Sequence, residues 1–486
     1  MKRLLVGPFN RVEGDLEVTL DVADGRVRSA RVNAPMYRGF EQILQGKAPH
    51  DALVYVPRIC GICSVSQSVA AAHALADLAG VAMPPNGRHV TNTVLAIENL
   101  ADHLTHFYLF FMPDFARAAY AGRPWHVEAV ERFTAGHGEQ VRKAIAARQR
   151  WFELLGTLAG KWPHTQSLEP GGSSRAIEPA ERTRLMARVR EFRNFLEREL
   201  FGGTALEAFD ALPDEPALWA WHAERPARGD FRLFLSAMLD PALASLGPGP
   251  GRYLSYGAYP QPEGGHSFAA GLWDASHDAL QPLDTAAITE DATHAWLLAT
   301  GGPRHPRDGM TEPDADKPGA YTWNKAPRLA GQVVETGAIA RQLAAGHALV
   351  HDAVGRHGGT VFTRVLARVL ELARVVPQIE RWLQALQPGQ PYCVPARLPA
   401  DGEGMGLNEA ARGALGHWVS VRDGRIANYQ IVAPTSWNFS PRDAAGTPGA
   451  LEQALVDAPV QDGEDTPVAV QHIVRSFDPC MVCTVH

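Results

Sequence analysis

Leu16, Val18, Leu20 and Val22 alternate with more polar neighbours, the period of a strand with one face in the core, and Asp24-Gly25 supplies a tight turn into a second run from Val27 to Val32. The pattern predicts a β-hairpin near the N-terminus. A second hairpin is predicted near the other end, where Trp418 to Val421 meets Asp423-Gly424 and returns through Ile426 to Val432, with Pro434 closing the strand because it lacks an N–H. Between them, apolar residues recur at helical spacing. Helices are predicted over Ser64 to Leu78, Val90 to Met112, Gln140 to Leu158, Ala180 to Phe201, Gly331 to Ala353 and Thr360 to Leu386. The helical signal fades between about 246 and 329, where GPGPG, YPQPEGG, GGPRHP and TEPDADKPG concentrate turn formers. A long irregular segment with a covering or interface role is expected there. No repeat period or clean boundary divides the chain, so the expectation is one unit over 1–486. Its fold class would be α+β, mainly α: a large central helical bundle with small antiparallel β-hairpins near both chain ends.

Composition narrows the classes. With 486 residues, 45% hydrophobic and 20% charged, the chain can bury a large core, which excludes intrinsic disorder. No run of 18 apolar residues occurs, and MKRLLVGPFNRVEGD reaches arginine and acid too early for a signal peptide. The expectation is a cytoplasmic protein without direct membrane insertion. Lys and Arg number 46 against 53 Asp and Glu, a net charge of −7, and no basic block stands out, so nucleic acid is not an expected partner.

The cysteines change the picture most. There are five, too few and too odd in number for a secreted disulfide framework, and four of them form two C-x-x-C pairs near opposite ends: Cys60 with Cys63, and Cys480 with Cys483. Two intervening residues let both sulfurs face one ion, and four thiolates complete a tetrahedral site. Spacing alone leaves structural zinc and a catalytic metal both open, since soft thiolates also select nickel, iron and iron–sulfur clusters. A structural zinc ribbon is a compact local module, whereas these pairs are separated by nearly the whole chain. Cys393, in QPYCVP, has no cysteine or histidine beside it and reads as a buried small apolar residue.

RICGIC near the start together with DPCMVCTVH at the end resembles the two signatures of the large subunit of nickel–iron hydrogenases. The resemblance runs through NRVEGDLEV around Glu13, YRGFEQIL around Glu41, ADHLTHFY around Asp102, KWPHTQSLEPGG around His164, YTWNKAPR around Lys325, EAARGALGHW around Arg412 and VAPTSWN around Thr435. It implies a nickel ion held by all four thiolates, with Cys60 and Cys480 terminal and Cys63 and Cys483 bridging to an iron that carries carbon monoxide and cyanide. One position stays open for H2. Heterolytic cleavage would leave a proton, for which the resemblance makes Cys480 the first candidate acceptor and Glu13 the outward relay. Arg412 would lie over the metal pair as a permanent planar cation, oriented by Asp102 and Asp478, and Thr435, after Pro434, would bond a cyanide. Glu41, His486 and a backbone carbonyl near Ile431 would hold Mg2+. Asp102 and His106, four apart on one helical face, suggest a hydrogen-bonded pair, and His164 is a candidate to face the electron-transfer partner.

Three departures stand out: Gln67 where many family members carry histidine, Ala411 where proline usually precedes the arginine, and an ending at His486. Together they resemble the hydrogen-sensing, or regulatory, class, which implies a cytoplasmic H2 sensor signalling to a histidine kinase. The alternative is an uptake hydrogenase feeding a respiratory chain, and a non-catalytic four-cysteine zinc protein is the third reading. The chain has too few cysteines for clusters of its own, so iron–sulfur clusters would lie only in a partner small subunit. Maturation proteins complete the expected partners.

Overall fold

A computed structural model describes residues 2–299 and 301–484. Strands β1 (Lys2–Val6), β2 (Glu17–Ala23) and β3 (Arg26–Asn33) form an antiparallel sheet in that order. Val18, Leu20, Val27 and Val32 turn into the core as their alternation requires. Asp24 and Gly25 have φ of 54° and 67°, the positive pair that a two-residue hairpin matched to strand twist needs.

Five helices dominate the interior: α1 (Ser64–Ala79), α2 (Pro85–Thr105), α3 (Glu139–Ala159), α4 (Pro179–Phe195) and α5 (Val361–Ala385). α2 packs on α3, α3 on α4, α4 on α5 and α5 on α2, which closes a bundle. From Val90 to Thr105 every residue of α2 is buried, so this helix has no solvent face. It widens into a π-turn over His106–Phe111, where a single helix to Met112 was predicted. The predicted helix from Gly331 to Ala353 is instead two, Ala338–Ala344 and Ala348–His357, separated by Gly346 in the left-handed region at φ 69°.

The segment expected to be irregular is not. It contains β4 (Arg252–Pro260), β5 (His266–Asp274) and β6 (Ala279–Gln281) in one antiparallel sheet, and β7 (Ile288–Asp291) paired with β8 (Ala326–Leu329). Its proline and glycine runs occupy the connections. The C-terminal hairpin, β10 (Gly413–Arg422) and β11 (Arg425–Val432), is joined by an unpredicted third strand, β9 (Gly402–Ala410). β9 lies directly on α1. A Cβ at Gly404 would stand 2.1 Å from the Ala74 carbonyl oxygen, and one at Gly406 would stand 1.9 Å from that of Ala70, so only glycine permits this approach. Among the described residues, no helix is long and apolar enough to cross a membrane.

Candidate metal centre

The two ends of the chain meet at the cysteines. Glu13 forms a parallel bridge with Cys480, and the Met481 N–H donates to the Glu13 carbonyl at 2.7 Å. Cys60 Sγ lies 3.4 Å from Cys480 Sγ, Cys63 Sγ 3.2 Å from Cys483 Sγ, and Cys480 Sγ 2.9 Å from Cys483 Sγ. All four are buried and their sulfurs fall within 4.8 Å of one another. Among the described residues this is the one grouping of histidine, cysteine and acid able to hold a metal. Metal–thiolate bonds of about 2.3 Å give sulfur separations of this order around one soft cation. Burial pushes the Cys480 and Cys483 thiols up, and Cys63 rises through hydrogen bonding within the group and through burial. Cys60 is held well below the usual thiol range by hydrogen bonds from its three neighbours. A cation held among them would supply the charge that further deprotonation requires.

Arg412 occupies the two-residue turn between β9 and β10, because Ala410 pairs with Gly413. Its guanidinium reaches Asp102 Oδ1 at 2.9 Å and Asp478 Oδ1 at 3.2 Å, and its Nε donates to the Asp478 carbonyl at 3.0 Å. Both predicted carboxylates therefore converge on it. Burial raises the Asp102 carboxyl, whereas the Arg412, His106 and Arg368 charges overcome burial and lower Asp478. Arg412 Nη1 is buried with no hydrogen-bond partner, a donor free for an acceptor that sulfur-bound metal chemistry would bring. Thr435, on the short helix Pro434–Asn438, accepts the Cys480 N–H at 3.1 Å.

Glu13 is half-buried, and its carboxyl is pushed up by burial and by the Cys60 charge, against the pull of Arg412 and Arg38. Gln67 is fully buried one turn after Cys63: its Oε1 accepts from His417 Nε2 at 2.9 Å, and its Nε2 has no partner. Glu41 Oε1 accepts the Ile431 N–H at 2.8 Å, and its other oxygen meets Thr311 Oγ1 and, at 3.3 Å, Lys325 Nζ. Glu41 and Ile431 are thus together, while His486 lies outside the described residues.

The predicted Asp102–His106 pair does not form. His106 Nε2 bonds the Arg475 carbonyl at 2.6 Å, since the π-turn starts at this residue and Asp102 is taken by Arg412. His103 bonds Glu371 at 3.1 Å. His164 is half-buried, with Nδ1 2.9 Å from the Pro57 carbonyl. Cys393 is only partly buried, correcting its reading as a buried small apolar residue: the neighbours Pro391, Val394 and Pro395 on its segment are exposed.

Three supporting residues were not anticipated. Arg38 donates to the carbonyls of Ile59 and, at 2.8 Å, Val482, tying the two cysteine loops together. Glu98 of α2 accepts from the Val65 N–H at 2.8 Å, the Ser66 N–H at 2.9 Å, Ser66 Oγ at 3.0 Å, Ser64 Oγ at 3.4 Å and Trp162 Nε1 at 2.9 Å, capping α1 just after Cys63. Arg341, paired with Glu371 and Glu409, donates to the carbonyls of Ala410 and Ala411 at 2.8 and 3.0 Å and so fixes the Arg412 turn.

Residues 38–123 and 233–486 match the model of the nickel-dependent hydrogenase family. This chain belongs to that family. Over its full length the hydrogenase is 30% identical to the periplasmic [NiFeSe] hydrogenase large subunit of Desulfomicrobium baculatum, covering 95% of that protein. It is 27% identical over its full length to the hydrogenase-2 large chain of Escherichia coli K12, covering 97% of it. It is likewise 26% identical to the uptake hydrogenase large subunit of Bradyrhizobium diazoefficiens, covering 95%. The reduced Ni-Fe-Se hydrogenase of D. vulgaris Hildenborough superposes with a TM-score of 0.84 at 30% identity, with both chains covered in full. The hydrogenase is therefore an enzyme and a large subunit, and its family implies a nickel–iron centre at the four thiols, which displaces the structural-zinc reading.

Proposed function

We propose that this hydrogenase oxidises H2 as the active-site subunit of an uptake-type enzyme and passes electrons to a respiratory chain through an iron–sulfur small subunit. The observation that carries it is the convergence of Cys60, Cys63, Cys480 and Cys483 near an Arg412 whose Nη1 has no partner. The relatives' names, periplasmic, uptake and hydrogenase-2, favour this role over the sensing one expected from Gln67, Ala411 and the ending. A histidine-kinase partner gains no support from them.

The centre, when bound, supplies heterolytic cleavage of H2. Cys60 and Cys480 would be its terminal ligands and Cys63 and Cys483 its bridging ones, with carbon monoxide and cyanide on the iron. Arg412 Nη1 and the Thr435 hydroxyl are the donors suited to cyanide. The Cys480 thiolate would take the proton and Glu13, bridged to the same backbone segment, would carry it outward. Burial eases that carboxyl's protonation. Glu41, the Ile431 carbonyl and His486 would hold Mg2+.

Infrared spectroscopy of the purified complex tests the centre: carbonyl and cyanide stretches are expected, and their absence from nickel-loaded protein overturns the assignment. For the role, H2-dependent reduction of quinone by membranes carrying the complex supports uptake. H2-dependent change in a kinase's phosphorylation without that reduction would support sensing instead.

A further inference from the structure

α1 begins beside Cys63, and His73 lies about 15 Å further along its axis at 1.5 Å per residue. There the structure has a cavity of about 250 Å³, where His73, Arg88, Thr91, Asn92, His266 and Asn408 supply the polar lining among apolar residues such as Met83 and Leu407. Its polar groups are unevenly satisfied. The Asn92 and Asn408 amides donate to the carbonyls of Pro260 at 2.8 Å and Ser66 at 3.1 Å. Thr91 is 4% exposed, yet its Oγ1 has no hydrogen-bond partner, and Arg88 Nε is buried with none either. Arg88 Nη1 reaches the Gln261 carbonyl only at 3.4 Å, and among the described residues the guanidinium has no carboxylate partner.

His73 Nδ1 lies 3.1 Å from the Leu407 carbonyl and so carries the proton, which leaves Nε2 as an acceptor for a bridging water or a protonated phosphoryl oxygen. Burial first, and then the Arg88 charge, pushes both His73 and His266 down, which favours their neutral forms and leaves Arg88 as the permanent cation facing this space. The nearby acid Glu263 acts on His89, in an adjoining cavity. Arg88, Thr91 and Asn92 sit on the first two turns of α2, whose N-terminal end adds positive potential. Buried donors without acceptors are costly, and the Arg88 guanidinium, with no carboxylate partner among the described residues, beside the unpartnered Thr91 hydroxyl calls for an anionic acceptor.

We infer that this cavity binds a small tetrahedral oxyanion, free phosphate or the phosphoryl group of a small ester, through Arg88 and Thr91 with His73 and His266 beside them. The volume exceeds that of a bare ion, leaving room for ordered water or a short organic group. The site is separate from the cysteines and independent of the electron-transfer role proposed above.

Isothermal titration calorimetry on the assembled complex tests it, with sodium phosphate, glycerol phosphate, and sodium chloride at matched ionic strength. One saturable phosphoryl site per chain is expected, with Arg88→Gln weakening it about tenfold or more and Thr91→Val several-fold. Tighter binding of the ester assigns a phosphoester ligand, and tighter binding of phosphate assigns the free ion. If Arg88→Gln fails to assemble, Thr91→Val, nearly isosteric, carries the test alone. No saturable binding, an equal response to chloride, or unchanged binding by the folded variants overturns the inference.

Discussion

Replacing Glu98 by alanine removes the one carboxylate that serves five donors at the start of α1. The two serine hydroxyls can turn to other acceptors, but the Val65 and Ser66 amides and the Trp162 indole cannot. Each buried donor left unpaired costs about 1–3 kcal/mol, and water entering the vacated volume recovers part of this, so the net loss is about 3–5 kcal/mol. Glu98→Gln keeps one acceptor and points an amide N–H at another donor, for a loss of about 2–3 kcal/mol. Hydrogen–deuterium exchange on the peptide spanning 60–70 reads the effect locally. At about tenfold per 1.4 kcal/mol, the alanine variant speeds Val65 and Ser66 exchange by about two to three and a half orders of magnitude, and glutamine by less. Nickel content should fall with it, because Cys63 is the residue that the cap holds in place. Exchange within about threefold of wild type in both variants would refute the capping argument.

Arg38→Met should release the Ile59 and Val482 carbonyls and lower nickel occupancy more than global stability, as metal analysis beside thermal unfolding would show. Glu13→Gln should retain the metals and strongly reduce hydrogen–deuterium exchange from D2; unchanged exchange removes Glu13 from proton transfer. Gln67→His should alter rate or oxygen sensitivity with metal content intact, since the position meets His417 and not a metal ligand; lost nickel would mark it as structural. Asp230 is pushed up to about 7 by burial despite its bonds to Tyr108 and Arg132. The native state therefore holds a proton that the unfolded chain releases, and this contribution to stability is lost as pH rises from about 4 to about 7. Asp230→Asn should flatten that part of a pH–stability profile, and an unchanged slope would contradict the assignment.

The sequence made the thiols, Arg412 and its two carboxylates readable because each is a chemically distinctive group at a motif position. The turns at Asp24-Gly25 and Asp423-Gly424 were readable because their backbone demand is local. Arg38, Glu98 and Arg341 were not: each acts on carbonyls or amides that only the tertiary fold brings within reach. β9 escaped notice because the glycines that let it touch α1 also erase the apolar alternation of a strand. The sheets between Arg252 and Leu329 were masked in the same way by the turn residues that join them. The Asp102–His106 pairing failed because the helix changes pitch at His106 and Arg412 competes for the carboxylate.

The sulfur pairs join residues 420 positions apart, and the isolated bridge at Glu13 is made with Cys480. On the ribosome, the early cysteines emerge long before their counterparts exist. Until the second pair has been translated, that first pair has no cage to complete, so the four-thiol site can close on an ion only after the Cys480–Cys483 segment has been made.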